Sequence, residues 1–190
     1  VVHTGARPVF VDSGSDFNMS VDAVAEKINN NTKLVIPVDI GGLPCDYDRL
    51  KSVVCQNKAK FKASNIKQEK LGRILILADA AHSLGANYKG KRSGTLGDVS
   101  VFSFHAVKNL TTAEGGAIML NFDEAFNNDE ICNELRILAL HGQTKDALSK
   151  SVAGKWQYDI LDAGYKYNMT DIQAAIGLVG LKEYDKTLAI

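Results

Sequence analysis

Residues 73–79 read RILILAD, and this stretch decides the fold. Ile74, Leu75, Ile76, Leu77 and Ala78 form an unbroken apolar run closed by a carboxylate, Asp79. A run that short, with no polar side, suits a strand buried on both faces of a parallel sheet. Working outward, similar runs occur at 98–104 (DVSVFSF), 116–120 (GAIML), 33–38 (KLVIPV) and 8–12 (PVFVD). Helical stripes lie between them. Residues 20–30 begin on Ser20, a good N-cap, and place Val21, Val24, Ala25 and Ile28 on one face. Residues 46–54 and 129–140 are further helices, and a last one runs from about Thr170. Strands alternating with helices predict an α/β fold, a three-layer α/β/α sandwich around a mostly parallel sheet.

Composition narrows the class. The 190 residues hold 22 Lys plus Arg and 22 Asp plus Glu, a net charge of zero, with 45% hydrophobic and 23% charged residues. That is globular rather than disordered composition, with a length suited to one domain. Zero net charge gives no general attraction to nucleic acid or an anionic membrane, so neither is an expected partner. No apolar run is long enough to span a bilayer. Cys45, Cys55 and Cys132 are odd in number and scattered, which argues against a disulfide framework or a metal site and for the cytoplasm. Residues 56–70, with Lys58, Lys60, Lys62, Lys67 and Lys70 against Glu69, read as a solvated insertion. Residues 143–158, which carry Trp156, read as a surface connection or a loop near a site. Val1 opens neither a signal nor a transit peptide, and 171–190 reads as a long helix with no cap. Both ends lead us to expect a segment of a larger protein.

Reactive residues concentrate between Asp79 and Gly116. Ligands of open α/β sheets collect beyond the carboxyl ends of strands, where Asp79 stands, although an aspartate there also serves as a helix cap. A second strand end leads through His105 to Lys108, set among small and hydroxyl residues. A lysine so placed is a candidate carbonyl-capturing amine. Asp and Lys at neighbouring strand ends meet what pyridoxal phosphate needs: an amine for a Schiff base and an acid for the pyridinium nitrogen.

Here the sequence resembles a known family. Asp79-Ala80-Ala81-His82-Ser83-Leu84-Gly85-Ala86, Tyr88-Lys89-Gly90-Lys91, Phe102-Ser103-Phe104-His105-Ala106-Val107-Lys108-Asn109 and Glu114-Gly115-Gly116 resemble the DegT/StrS family of pyridoxal-phosphate-dependent sugar aminotransferases. The flanks at 8–12, 36–38 and 164–177 (GYKYNMTDIQAAIG) fit as well, so the resemblance covers nearly the whole chain except the Lys-rich insertion. It implies a fold type I enzyme. It also implies that Lys108 holds the cofactor as a Schiff base and moves the proton, and that Asp79 faces the pyridinium nitrogen. His82 would sit beside the phenolic oxygen, and Ser103 would contact the phosphate.

Departures from the pattern bear on substrate. His105 stands where relatives often carry Tyr, and is a weak substrate-binding candidate with Asn168. Lys166-Tyr167-Asn168 replaces an N-Y-R whose Asn, in the family, reaches the cofactor phosphate of a neighbouring subunit. Lys166 is carried as a cofactor-binding candidate in its stead. Asp39-Ile40-Gly41-Gly42 occupies a loop that often contains His. The resemblance further implies a homodimer, glutamate as amino donor, and a nucleotide-linked keto sugar as acceptor, in surface polysaccharide synthesis. No metal is expected.

No glycine-rich strand-to-helix turn here would cradle a phosphate. The resemblance implies that residues 1–190 are part of a large domain, with the phosphate loop upstream and a small domain downstream outside them. Such a segment alone is expected to be inactive. Competing readings are a pyridoxamine-dependent sugar dehydratase, whose relatives replace the lysine with His, and a cofactor-binding or regulatory relative without turnover.

Overall fold

A computed structural model describes residues 1–144 and 157–189. The anticipated connection at 143–158, Trp156 included, thus falls mostly outside the described residues.

Strands β1 (Leu34–Val35), β2 (Leu75–Asp79), β5 (Val99–Ser103) and β6 (Gly116–Leu120) form one sheet in the order β1-β2-β5-β6. A hairpin of β3 (Asn87–Tyr88) and β4 (Lys91–Arg92) stands apart. β1 and β5 run parallel to β2, and β6 is antiparallel to β5, so the sheet is mostly parallel as expected. The register Asp79↔Val101 brings the carboxyl ends of β2 and β5 side by side. That alignment carries the site.

Alternation explains the burial. Ile74, Ile76 and Ala78 point to one face and pack with Val21 and Val24 of α1 (Val21–Lys27) and Tyr47, Leu50 and Val54 of α2 (Tyr47–Gln56). Ser20 caps α1 by accepting from Ala23 N at 3.3 Å, and Asp46 caps α2 through Arg49 N at 3.2 Å. Asp98, nearly buried, fixes the start of the strand pair. It accepts two bonds from the Arg73 guanidinium, at 2.7 and 2.6 Å, and a third from Ile76 N at 2.8 Å. The carboxylate holds the guanidinium pKa above its ordinary value.

Three sequence expectations change in detail. Residues 8–12 form no strand; Val9 and Phe10 are 58% and 87% exposed, and among the described residues no strand pairs with them. The 33–38 strand shortens to β1 plus a single bridge, Val38 to Asp79, because Pro37 has no N–H for the ladder. The terminal helix is two: α5 (Asp171–Lys182), with a capping box on Thr170 and Gln173, then α6 (Tyr184–Leu188) after Glu183. The Lys-rich insertion holds a short helix, α3 (Ile66–Leu71), and Lys67 pairs with Glu134 of α4 (Asn128–Ala139) at 2.9 Å. Among the described residues no helix is long and apolar enough to cross a membrane.

Candidate active site

Two turns beyond the carboxyl ends of β2 and β5 face one depression of about 310 Å³, lined by Gly41, Ala81, His82, Val107, Lys108 and Asn109. The first turn follows Asp79. Its carboxylate Oδ1 accepts from Ala81 N at 3.2 Å, while Ser83 N donates to Ala80 O at 3.0 Å. Ala80 N reaches across to Val101 O at 2.9 Å, so the turn is anchored to β5. The second turn follows Ser103, and its ends are drawn together where Phe104 O accepts from Thr112 N at 2.9 Å and Thr111 Oγ1 at 3.2 Å. Lys108 N donates to His105 O at 3.0 Å inside that closure.

The sequence-predicted residues divide into two groups. His82 and Lys108 line the same depression. Asp79 and Ser103 stand at the ends of the two adjacent parallel strands beneath it. Lys108 is half-buried, and its ammonium makes no hydrogen bond or ion pair among the described residues, which leaves the amine available. Ser103 Oγ accepts from His105 N at 3.2 Å, so its own proton remains free to donate. His105 Nε2 lies 3.6 Å from Glu114 Oε1, both largely exposed. Lys166 and Asn168 are not in this group. They bond to each other, Lys166 Nζ donating to Asn168 Oδ1, on an exposed segment tied to the end of α4 by Tyr165 N to Leu138 O at 2.6 Å. The Tyr165 and Tyr167 rings stack beside them at 5.0 Å and 4°.

The sequence reading missed what holds the first turn. Asp39, 1% exposed, accepts from Cys45 N at 3.0 Å, Tyr47 OH at 2.9 Å and Ser83 Oγ at 2.7 Å. Its own N–H donates to Asp79 O at 3.0 Å. This buried carboxylate thus knots the 39–47 loop to the Asp79 turn. Burial and the adjacent carboxylate push the Tyr47 phenol up, and burial raises the Cys45 thiol to about 11. Gly41 and Gly42 follow at φ 59° and 86°, where glycine bears the left-handed backbone best, and Gly41 N donates to His82 Nδ1 at 3.3 Å. That bond uses Nδ1 as an acceptor and leaves Nε2 to donate. Nothing along the chain marks this role: Asp39 stands two residues before the Gly41-Gly42 pair, and its Ser83 partner lies 44 positions away.

The donor set fits pyridoxal phosphate: an amine and an imidazole on one depression, with a carboxylate that has an oxygen to spare and a hydroxyl at the ends of the adjoining strands. Among the described residues no cluster of three metal-ligating side chains occurs.

Comparison with known proteins points the same way. The model of the DegT/DnrJ/EryC1/StrS aminotransferase family matches residues 1–189. Spr1654 of Streptococcus pneumoniae, assigned as a sugar aminotransferase and solved in its PMP form, superposes with a TM-score of 0.90. It is 48% identical over 97% of this chain and 47% of its own. The sugar aminotransferase CalS13 of Micromonospora echinospora gives a TM-score of 0.77 at 32% identity, over 97% of this chain and 45% of its own. The spore coat polysaccharide biosynthesis protein SpsC of Bacillus subtilis is 39% identical over 97% of this chain and 43% of its own length. The chain thus spans less than half the length of these relatives.

Proposed function

The chain belongs to the DegT/DnrJ/EryC1/StrS aminotransferase family, and from that premise we propose that it carries the lysine side of a pyridoxal-phosphate transaminase site. The acceptor we propose is a keto group on a nucleotide-linked sugar, the donor glutamate, and the setting cytoplasmic surface-polysaccharide synthesis. Relatives that are sugar aminotransferases or act in spore coat polysaccharide biosynthesis support the substrate class. The single observation that carries the reading is the Lys108 amine, unpaired among the described residues, sharing one depression with His82 at the ends of strands bearing Asp79 and Ser103.

When bound, the cofactor supplies an electron sink for the carbon that exchanges its amine. Lys108 would hold it through its amine and, once freed, would move the proton that the transfer requires. A single lysine serving both half-reactions gives ping-pong kinetics. Asp79 would pair with the ring nitrogen and favour its protonated form, His82 would donate Nε2–H to the phenolic oxygen, and Ser103 would donate to phosphate. His105 would face substrate, while Lys166 and Asn168, which lie off this depression, would act at the site of a neighbouring subunit, Lys166 as a point charge on phosphate. The retained lysine favours amine transfer over dehydration.

The same reading makes residues 1–190 part of the large domain of a homodimer, with the phosphate loop and the small domain supplied by other segments. Tyr165, Tyr167 and Ile172, exposed by 57%, 76% and 77%, support a partner surface. The test uses the intact protein with glutamate and a nucleotide-linked keto sugar. Amine incorporation over many turnovers, abolished by Lys108→Ala, is the expected result. Loss of water without amine, or turnover that survives in Lys108→Ala, contradicts it.

A further inference from the structure

Tyr184 is 8% exposed and lies at the start of α6, far in sequence from either turn. Its hydroxyl donates to Leu84 O at 2.8 Å and accepts from Asn109 Nδ2 at 2.8 Å. Asn109 Nδ2 also donates to Leu84 O at 3.0 Å, and Asn109 Oδ1 accepts from Leu110 N at 2.9 Å. A closed triangle of hydrogen bonds therefore joins the Asp79 turn, the Lys108 turn and the terminal helix. Gly85, at φ 81°, permits the approach: a Cβ there would stand 2.5 Å from Leu188 Cδ1 and 3.1 Å from the Tyr184 hydroxyl.

We propose that Tyr184, acting through Asn109, is a positioning residue that sets the reach of the Lys108 amine. Lys108 is held on one side by its N–H to His105 O and on the other by the adjoining Asn109 side chain. Leu84 belongs to the turn that carries Asp79 and His82, so the triangle fixes the lysine backbone relative to the residues that would hold the cofactor ring. A fixed backbone lets the amine sample fewer positions away from a carbonyl, and orientation of this kind governs reactivity more than contact area does. Burial pushes the Tyr184 phenol up, so it remains a donor across the working pH range.

The inference rests on the proposed cofactor, and its test separates the two. Tyr184→Phe in the intact protein keeps the buried ring and deletes only the hydroxyl. Affinities are measured for pyridoxal phosphate, whose aldehyde captures the lysine, and for pyridoxamine phosphate, which has no aldehyde. The expected result is a fall of about fivefold for pyridoxal phosphate, the effect of one hydrogen bond, with pyridoxamine phosphate unchanged. Asn109→Ala, a second route to the same loss, repeats the selective fall. A parallel weakening of both ligands means a merely structural role and overturns the proposal, as does no change in either. Wild-type protein that shows no preference for the aldehyde overturns the cofactor reading itself, and the inference with it.

Discussion

Ser83 Oγ donates to Asp39 Oδ2 at 2.7 Å, across 44 positions of sequence, and both side chains are all but inaccessible. The bond joins the loop after β1 to the turn after β2, so the Asp79 turn is held from below by a charge that never meets solvent. A buried carboxylate persists only when its lone pairs are answered, and Cys45 N and Tyr47 OH answer the rest.

Asp39→Ala strands these donors in the interior. We expect a loss of about 3 kcal/mol, read as a lower urea midpoint with unchanged slope. Tyr47→Phe and Ser83→Ala, each removing one donor, should lie well below it. Equal midpoints for Asp39→Ala and wild type would contradict the knot.

Asp98→Asn breaks the fork with Arg73 and leaves a guanidinium that is only 27% exposed without its partner. A stability loss of about 3 kcal/mol is expected from chemical denaturation. Restoration by pairing the change with an apolar residue at Arg73 would agree with a desolvation cost; no restoration would not.

Alkali should weaken the fold. The Cys45 thiol is raised from 9.0 to about 11 by burial, and Tyr47 moves in the same direction. The unfolded chain releases these protons first, so it binds fewer than the native state between pH 9 and 11, and stability falls as pH rises through that window. Thermal melts at pH 8 and 10.5 test the sign. Below pH 9, folded Cys45 should resist alkylation while exposed Cys55 reacts.

Ser103→Ala removes a hydroxyl proposed to face phosphate. Affinity for pyridoxal phosphate should fall about tenfold, and affinity for pyridoxal, which has no phosphate, should not change. Absorbance titration of both ligands measures the contrast. An equal fall for the two would assign Ser103 to the strand alone.

Much of this was legible along the chain because it is local. The runs at 73–79, 98–104 and 116–120 became β2, β5 and β6, since continuous apolar character marks a central strand. Ser20 announced its helix by cap chemistry, whereas the helix from about Thr170 showed only its apolar period. Residues 8–12 misled for the same reason: PVFVD reads as a core strand, yet a strand needs a partner, and among the described residues none pairs with it and Phe10 stands exposed. The Asp39 knot and the Tyr184 triangle were invisible because they join residues 44 and 100 positions apart, where neither period nor propensity carries a signal. Lys166 and Asn168 were named through resemblance, and the fold sets them on a separate exposed strap.

The central claim is that Lys108 is the amine that captures the cofactor. Borohydride reduction of the intact protein loaded with pyridoxal phosphate, followed by peptide mass mapping, tests it most directly. We predict loss of the visible absorbance and one reduced pyridoxyl group on the peptide carrying Lys108. A label on another lysine, or no label, would contradict the account.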